Sequence, residues 1–470
     1  MTERRSAAEL ACRGLLLAYL CWLPLPFGSV TERAQLPLVA GALAICALAA
    51  FARATAAAGP LQLTPAFRFW ASGAALFTLV AAFQLLPLPD ALLRLLSPES
   101  LRIWSDAGRI AALAGAPAPA GAHPISVDPE ITLVHLFRVL AYAAVFLAAA
   151  LLLRRHRHRV ALALVLGAAA IFETLYGVRE AALHRYAIWG WVNKLIFNRV
   201  TGTFVNPNHF AHYAAIVMPL GVYLSAQAWH DAAPSGVPWR RRVVRLIEKR
   251  FLLFVCGLAI AFACLVGILV AQSRGALIAA VGGFAIAGAV ASGRRHALQR
   301  GVLIGVAGVV LVAVVVLLFG FKVSRFQEAE MATLGGRGVT VRTAFDLWKR
   351  FPLFGSGLGT FAEVSSMTGI GSAEMLINHA HDDYAEVAAT TGVVGLLAAL
   401  IPLLGGTIAL ARTAFASEST WTRRAYQAAA LTSVTIALVH ALIDFNFFIP
   451  ANPATLAAIA GAAVALREKG

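Results

Sequence analysis

The sequence predicts an all-α polytopic membrane protein with about twelve transmembrane helices. Its 470 residues are 60% hydrophobic and only 13% charged, about half the charged share of soluble domains, which is roughly 25%. This composition excludes a water-soluble globule, and it is the opposite of the low hydrophobicity of disordered chains. Uncharged stretches of the ~20 residues that cross a bilayer as a helix also recur along the whole chain.

The candidate spans are mostly apolar and lie between clusters of Lys, Arg, Gly and Pro. In chain order they cover residues 14–30, 34–52, 69–88, 131–153, 160–178, 211–229, 251–271, 275–293, 301–321, 387–411, 425–443 and 447–465. If the N-terminus is cytoplasmic, the short arginine clusters fall on the cytoplasmic side, including those at 154–159 and 240–250. An odd number of spans would scramble this pattern. We therefore expect twelve spans, with both termini in the cytoplasm.

The net charge of +16 is mostly anchoring charge in these clusters, so it does not predict nucleic-acid binding. The five cysteines all lie in apolar spans and lack CxxC spacing. This pattern favours small core residues over disulfides or metal ligands.

Segment 322–383 is the one outside-facing segment large enough to cover a site. Within it, residues 341–351 (VRTAFDLWKRF) place three aromatic side chains near one helical face, which predicts an amphipathic helix on the membrane surface. Pro352 and the glycines that follow it are expected to end this helix. Two other outside segments, 89–130 and 179–208, are Pro/Ala-rich and aromatic, respectively.

Arginines on the outside depart from the positive-inside pattern. Four of them are candidates for an anion-binding cluster: Arg199, Arg274, Arg337 and Arg342. A guanidinium group stays charged at any working pH and binds phosphate oxygens through a planar fork of donors. The alternative is that these side chains snorkel to the interface or form local ion pairs. The position of Arg274 between two long uncharged spans favours the anion-binding role for that residue.

The sequence NHAHDD at 378–383 places two histidines beside acids at the outer end of a span. A metal cluster would need a strand to present His379 and His381 on one side, whereas this segment leads into a helix. A second interpretation is a helix start capped by Asp382 or Asp383. A third makes one histidine a general base, because imidazole accepts a proton near neutral pH. The residues alone leave the second and third interpretations open.

Charged residues inside predicted spans are functional candidates, because a charge at membrane depth is costly. Arg138 and Glu173 could pair with each other or line a groove that faces lipid, and the sequence does not decide between these. His440 and Asp444 stand four residues apart near the outer end of a span. We expect them to form an internal hydrogen-bonded pair that holds helices together.

Several segments resemble, in order and spacing, the O-antigen ligase and polymerase superfamily of bacterial envelope enzymes. They are residues 199–211 (RVTGTFVNPNHFA), 273–276 (SRGA), 342–361 (RTAFDLWKRFPLFGSGLGTF) and 378–395 (NHAHDDYAEVAATTGVVG). The segment 440–452 (HALIDFNFFIPAN) resembles a subgroup of the superfamily. The resemblance covers residues 190–455 of a chain that we interpret as one integral membrane domain, 1–470. The combination of motifs is specific, although each motif alone is weak.

The resemblance implies about a dozen transmembrane helices in the bacterial inner membrane, with the periplasmic loop 322–383 over the active site. It also implies a donor glycan on undecaprenyl pyrophosphate, transferred without metal or other cofactor to a hydroxyl of lipid A-core or of another glycan. His381 corresponds to the family's essential histidine. Arg199 and Arg274 correspond to its pyrophosphate-binding arginines, with Arg342 as a third.

Five further positions in these motifs are supporting residues: His379, Asp382, Asn206, His440 and Asp444. Arg337, in the loop 322–383, is another. Asp382 departs from the family pattern, in which an asparagine commonly follows the essential histidine. A neighbouring carboxylate would raise the basicity of His381, which is compatible with a general base.

The expected function is therefore an O-antigen ligase, with a polymerase of the same superfamily as the alternative. The two enzymes differ in the acceptor that they use, and nothing in the sequence identifies the acceptor. A transporter of lipid-linked substrates is a third interpretation, but the sequence shows neither an inverted repeat nor paired broken helices in corresponding halves.

Overall fold

The computed structural model describes residues 2–55, 61–116, 121–192, 199–233, 236–291, 323–369, 377–414, 420–465 and 467–468. Within these residues the chain is helical apart from loops and two-residue strands, which confirms the predicted all-α class. The predicted span 301–321 lies outside the described residues.

The helices and strands follow one another along the chain with short connections. The helices are α1 (Thr2–Trp22), α2 (Glu32–Thr55), α3 (Pro65–Phe83), α4 (Asp90–Leu96), α5 (Pro98–Leu113), α6 (Pro129–Leu152), α7 (His156–Ala182), α8 (Pro207–Ala232), α9 (Trp239–Lys249), α10 (Phe251–Val270), α11 (Arg274–Ala291), α12 (Val323–Arg350), α13 (Phe361–Ser365), α14 (Asp383–Ala414), α15 (Trp421–His440) and α16 (Ala451–Ala463). The antiparallel strand pairs are β1 (Leu61–Gln62) with β6 (Arg467–Glu468), β2 (Leu88–Pro89) with β3 (Ala122–His123), and β4 (Ala187–Ile188) with β5 (Trp191–Val192).

Among the described helices, six are long and apolar enough to cross a membrane: α2, α3, α6, α7, α10 and α14. The other predicted spans within the described residues also overlap helices, namely α1, α8, α11, α15 and α16. The chain is thus a multi-pass membrane protein, and the number of twelve spans stays a prediction.

In three of the described helices, a polar residue whose side chain caps the helix is followed by proline at the first helical position. The side chain of Thr64 caps α3, that of Asp128 caps α6, and that of Asn206 caps α8. Asn206 accepts a hydrogen bond from the backbone N–H of Asn208 at 2.9 Å. This predicted supporting residue therefore fixes the start of α8, where other candidate residues lie.

Helix α12 is longer than the amphipathic helix predicted at 341–351, since it begins at Val323. The turn that follows it docks into a kink of α14 at Gly392, whose φ of +65° lies in the left-handed region. There the N–H of Val393 donates to the carbonyl of Pro352 at 2.9 Å. A Cβ at Gly392 would overlap the backbone of Leu353, so the close approach requires glycine. The contact fixes α12 against α14.

Five helices form a ring in which each packs on the next: α3, α6, α16, α15 and α14, with α14 returning to α3. Helices α8 and α11 pack on another side of α15. The loops at 199–206, 271–273, 377–382 and 441–450 contact one another at one end of the bundle. We call this the site end.

Candidate active site at the site end

The buried carboxylate of Asp444 is the centre of the site. Its Oδ2 accepts a hydrogen bond from Asn208 Nδ2 at 2.9 Å and lies 3.9 Å from Nη2 of Arg337. Its Oδ1 lies 3.4 Å from Nδ1 of His381 and 3.8 Å from Nε2 of His209. One carboxylate therefore joins the start of α8, helix α12 and the loop before α14.

The expected pair of His440 and Asp444 is not formed, so that prediction was wrong. Helix α15 ends at His440, and the carbonyl of the next residue, Ala441, accepts a tertiary hydrogen bond from the N–H of Asp383 at 2.9 Å. Asp444 consequently lies beyond the helix. His440 instead faces His212, with 2.9 Å between their Nδ1 atoms.

Arg199 is held in place by the turn between α10 and α11. Its Nε donates to the carbonyl of Ala271 at 2.9 Å, and its Nη2 donates to Oδ1 of Asn208 at 2.8 Å and to the carbonyl of Gln272 at 3.4 Å. Asn208 thus bridges Arg199 to the buried carboxylate. Arg274 begins α11 directly after this turn, and its side chain is exposed. The structure brings these two predicted arginines to the same end of the bundle.

The electrostatics of Arg199 indicate a cluster with excess positive charge. Burial, followed by repulsion from Arg337, lowers the pKa of Arg199 to about 10, while Asp444 acts in the opposite direction. Two guanidinium groups close enough to repel are stabilised when an anion lies between them. The arrangement is therefore suited to bind an anionic group.

The surroundings of Asp444 stabilise its charged form, whereas those of Arg199 destabilise its charged form. Burial alone would raise the pKa of this carboxyl, but the nearby imidazoles of His209, His381 and His440 lower it well below its usual range. Asp444 is therefore ionised at neutral pH and neutralises part of the cluster's positive charge.

His381 adopts a strained backbone conformation, with φ at +55°. A residue other than glycine in this region costs about 1–3 kcal/mol and persists only where its surroundings hold it. Here the N–H of Ala380 donates to Oε2 of Glu386 at 2.8 Å, and the ring of His381 meets the ring of Phe445 edge-on at 4.9 Å. The side chain keeps 32% of its surface exposed. The loop thus presents a partly open imidazole next to Asp444.

The neighbouring residues of the same loop have different roles. His379 Nδ1 lies 2.8 Å from Oε1 of Glu386, and its ring stacks on Phe445 at 4.0 Å. Asp382 Oδ1 accepts from the N–H of Ala385 at 2.9 Å and so caps α14. Burial raises the pKa of Asp382. Among the described residues, no group of three or more His, Cys, Asp or Glu side chains is arranged to hold a metal ion.

Arg342, expected to be a third pyrophosphate ligand, lies apart from these contacts. Its side chain is 77% exposed, and its Nε lies 4.0 Å from Oδ2 of Asp346. Five residues separate it from Arg337 on α12, which turns it about 140° around the helix axis. The two arginines therefore point in different directions.

Arg138 and Glu173 do not pair with each other. Arg138 Nε donates to Oε1 of Gln35 at 2.8 Å, and Nη1 lies 3.3 Å from Nε2 of His135. Glu173 is fully buried and accepts hydrogen bonds from the N–H and the hydroxyl of Thr203 at 2.6 and 2.8 Å. Glu173 thus fixes the turn before α8, while Arg138 faces a separate region.

Sequence reasoning missed three residues that organise the site: Asn208, Phe445 and Glu386. All three lie inside the recognised motifs, at 199–211, 378–395 and 440–452, so the motifs carried a signal for them. Phe445 contacts three histidine rings, with centroid distances from 4.0 to 4.9 Å. Outside the motif Glu386 attracts no attention, because a single acid in the first turn of a helix is common.

Residues 259–400 match the family model described as O-antigen ligase. The middle of the chain is therefore similar to the O-antigen ligase family. This match confirms the resemblance to the superfamily, and no curated protein matches the chain at a significant level. The matched segment contains Arg274, Arg337 and His381, whereas Arg199 and Asp444 lie outside it. The candidate site therefore combines residues of the matched segment with residues next to helices α8 and α15.

Proposed function

We propose that the protein is a bacterial inner-membrane glycosyltransferase of the O-antigen ligase type. It moves a glycan from undecaprenyl pyrophosphate to a hydroxyl of lipid A-core at the periplasmic face. The observation that carries this proposal is the convergence of Arg199, Arg337 and His381 on Asp444. A cluster of guanidinium groups beside the partly exposed imidazole of His381 suits a reaction with an anionic leaving group and a weak nucleophile.

The arginines act on the leaving group. As the bond between the anomeric carbon and the pyrophosphate breaks, negative charge develops on the diphosphate oxygens, which guanidinium groups at Arg199, Arg274 and Arg337 stabilise. Arg199 needs no reorganisation at this step, since Ala271 and Asn208 already fix its orientation. No step requires a metal ion, because the arginines supply the positive charge.

His381 acts on the acceptor. With Nδ1 directed to Asp444, the tautomer that carries its proton on Nδ1 is favoured, which leaves Nε2 as the proton acceptor. Nε2 takes the proton of the acceptor hydroxyl while that oxygen forms the new bond to the anomeric carbon. The undecaprenyl pyrophosphate leaves with the electron pair of the broken bond. Attack from the face opposite the pyrophosphate inverts the anomeric centre.

The test is replacement of His381 by Ala in the full-length protein. We expect transfer to fall by about 10²- to 10⁴-fold, the contribution of a general base, while binding of undecaprenyl pyrophosphate is retained. His381→Asn is a second variant, because asparagine tolerates positive φ and so preserves the loop. His184→Ala, in an exposed turn elsewhere, is the matched control. Unaltered product formation by His381→Ala would reject the proposal.

The acceptor class is tested by the glycan profile of a deletion strain. Long unattached chains on the lipid carrier are the result expected for a ligase. Single capped repeat units would instead assign the chain to the polymerase branch of the superfamily. Unchanged profiles in the deletion strain would contradict both assignments.

A further inference from the structure

A cavity of about 330 Å³ lies inside the ring formed by α3, α6, α14, α15 and α16. Its volume is within the range of ligand pockets, roughly 300–1,000 Å³. Side chains from all five helices line it, among them Phe77, Tyr142, Leu400, Val434 and Leu456. Most of the lining is apolar, so the cavity suits a hydrocarbon chain.

The polar lining is concentrated at the site end. His135 and Arg138 lie in the first turns of α6, and Asp383 begins α14. At the far end the lining is apolar, with Trp70 from the start of α3 and Ala460 from the last turn of α16. The cavity therefore matches an amphiphilic molecule. The polar head of this molecule would lie at the site end, and its hydrocarbon chain would extend away from that end.

Arg138 gives the polar end its positive charge. Its contacts with Gln35 and His135 are to an amide oxygen and an imidazole nitrogen, and it forms no ion pair with a carboxylate among the described residues. A guanidinium group inside a membrane bundle is costly unless it has a function or a partner. An anionic head group in the cavity would be such a partner, because Arg binds phosphate oxygens through charge-assisted hydrogen bonds.

The cavity is separated from the arginine cluster at Arg199. On α15, Ser433 bonds the carbonyl of Ile216 on α8 at 2.7 Å, whereas Val434 lines the cavity about 100° farther around the helix. Above α15, Phe448 lines the cavity and lies 5.6 Å from the ring of His379. One helix and this aromatic group therefore stand between the two regions, which suit two different molecules.

We propose that the five-helix cavity binds the hydrocarbon chain of a second phosphorylated lipid, with its phosphate at Arg138. This inference rests on the proposed glycosyl transfer, in which the second lipid is the acceptor. The donor diphosphate then lies at Arg199 and the acceptor lipid on the other side of α15. His381 lies between the two, beside Phe445, where an acceptor hydroxyl has to be deprotonated.

The test is photolabelling of the full-length protein in nanodiscs, with the labelled peptides identified by mass spectrometry. The probes are lipid A with a diazirine on one acyl chain and undecaprenyl pyrophosphate with a diazirine on its chain. We expect lipid A to label α3, α6, α14 and α16. Ala457→Trp, which fills the cavity, is expected to reduce this labelling about tenfold. Arg138→Gln is expected to reduce it by a similar factor, because it removes a charged hydrogen-bond donor.

Two controls keep the inference falsifiable. Leu79→Trp adds the same ring on the exposed face of α3 and should leave labelling unchanged. Ala399→Phe, also in the cavity lining, replaces Ala457→Trp if thermal unfolding shows that the latter does not fold. Persistent labelling of the four helices in the folded cavity-filling variant would overturn the proposal.

The variant Arg199→Gln tests whether the lipid in the cavity is a second lipid or the donor itself. We expect this variant to lose donor binding and to keep cavity labelling within about twofold of the wild type. Cavity labelling by undecaprenyl pyrophosphate that disappears in Arg199→Gln would assign the cavity to the donor chain and overturn the proposal. The measurement is independent of turnover, so failure of the His381 mechanism and failure of the cavity assignment are distinguishable.

Discussion

Two arginines at opposite ends of the bundle have similar bonds but different surroundings. Arg159, near the start of α7, is 6% exposed, and its Nε donates to the carbonyl of Ala462 at 3.2 Å. Arg199, at the site end, donates through Nε to the carbonyl of Ala271 at 2.9 Å. Judged by these bonds alone, both are structural arginines that satisfy the backbone at a loop.

Their neighbours distinguish them. The guanidinium of Arg159 lies over the ring of Tyr426, 5.5 Å from its centroid, in an enclosed contact. Arg199 lies near Arg337 and beside the loop that carries His381. A buried arginine thus indicates a binding site when other positive charges lie close to it. It indicates a structural contact when an aromatic ring and carbonyl groups enclose it.

The largest expected effect is on Arg199. We expect Arg199→Gln to lower transfer by about 10²- to 10³-fold, the cost of removing one oriented donor from a developing anion. Its thermal stability in detergent should change little, because the lost hydrogen bonds are offset by relief of the repulsion between Arg199 and Arg337. Transfer rates, donor binding and thermal unfolding together check this expectation. A variant that unfolds early but transfers normally once folded would place Arg199 in the same class as Arg159.

Asp444 is expected to show the next largest effect, and one that depends on pH. Asp444→Asn should lower the free energy of unfolding at pH 7 by about 1.5–3 kcal/mol, since it loses charged hydrogen bonds in a buried site. The folded-state pKa of Asp444 lies well below its usual value. Its stabilisation is therefore complete above about pH 4, the unfolded pKa, and is lost as pH falls further. Unfolding curves of both proteins should converge below that pH.

A pH-independent difference between wild type and Asp444→Asn would contradict this account. It would mean that the carboxylate acts by packing rather than by charge. The matched comparison is Asp346→Asn on the exposed face of α12, for which we expect no resolvable difference at any pH.

The next largest effect is expected for Arg159, at the other end of the bundle, and it concerns stability rather than transfer. Arg159→Gln should lower the free energy of unfolding by about 1.5 kcal/mol, the low end for a charged hydrogen bond, through lost contacts with Ala462 and Tyr426. Transfer per folded molecule should not change. Thermal unfolding and specific activity of the purified protein check both expectations. A fall in donor affinity would show that burial alone marks a binding arginine.

Much of this architecture follows from local sequence. Apolar length and polar caps predict the helices, and the motifs at 199–211 and 378–395 predict Arg199 and His381. The contact between Asn208 and Asp444 could not be predicted, because it joins residues 236 positions apart. It also depends on where α15 ends, since Asp444 lies beyond the last residue of that helix.

The same limit explains the expectation for Arg342. The motif at 342–361 carries this arginine, and the sequence predicts a short surface helix there. In the structure α12 extends back to Val323, so Arg337 and Arg342 lie on one continuous helix and point in different directions. Sequence periodicity shows that a segment is helical, but not which of its faces meets the site.

The smallest expected effect, and the sharpest test of this distinction, is Arg342→Gln. Its exposed pair with Asp346 at 4.0 Å contributes at most about 0.5 kcal/mol to stability. Because the side chain points away from the cluster, we expect donor affinity and transfer to stay within about twofold of the wild type. Arg337→Gln, on the same helix but 3.9 Å from Asp444, should reduce both by at least tenfold. Equal losses in the two variants would mean that position relative to Asp444 does not decide which arginines engage the donor.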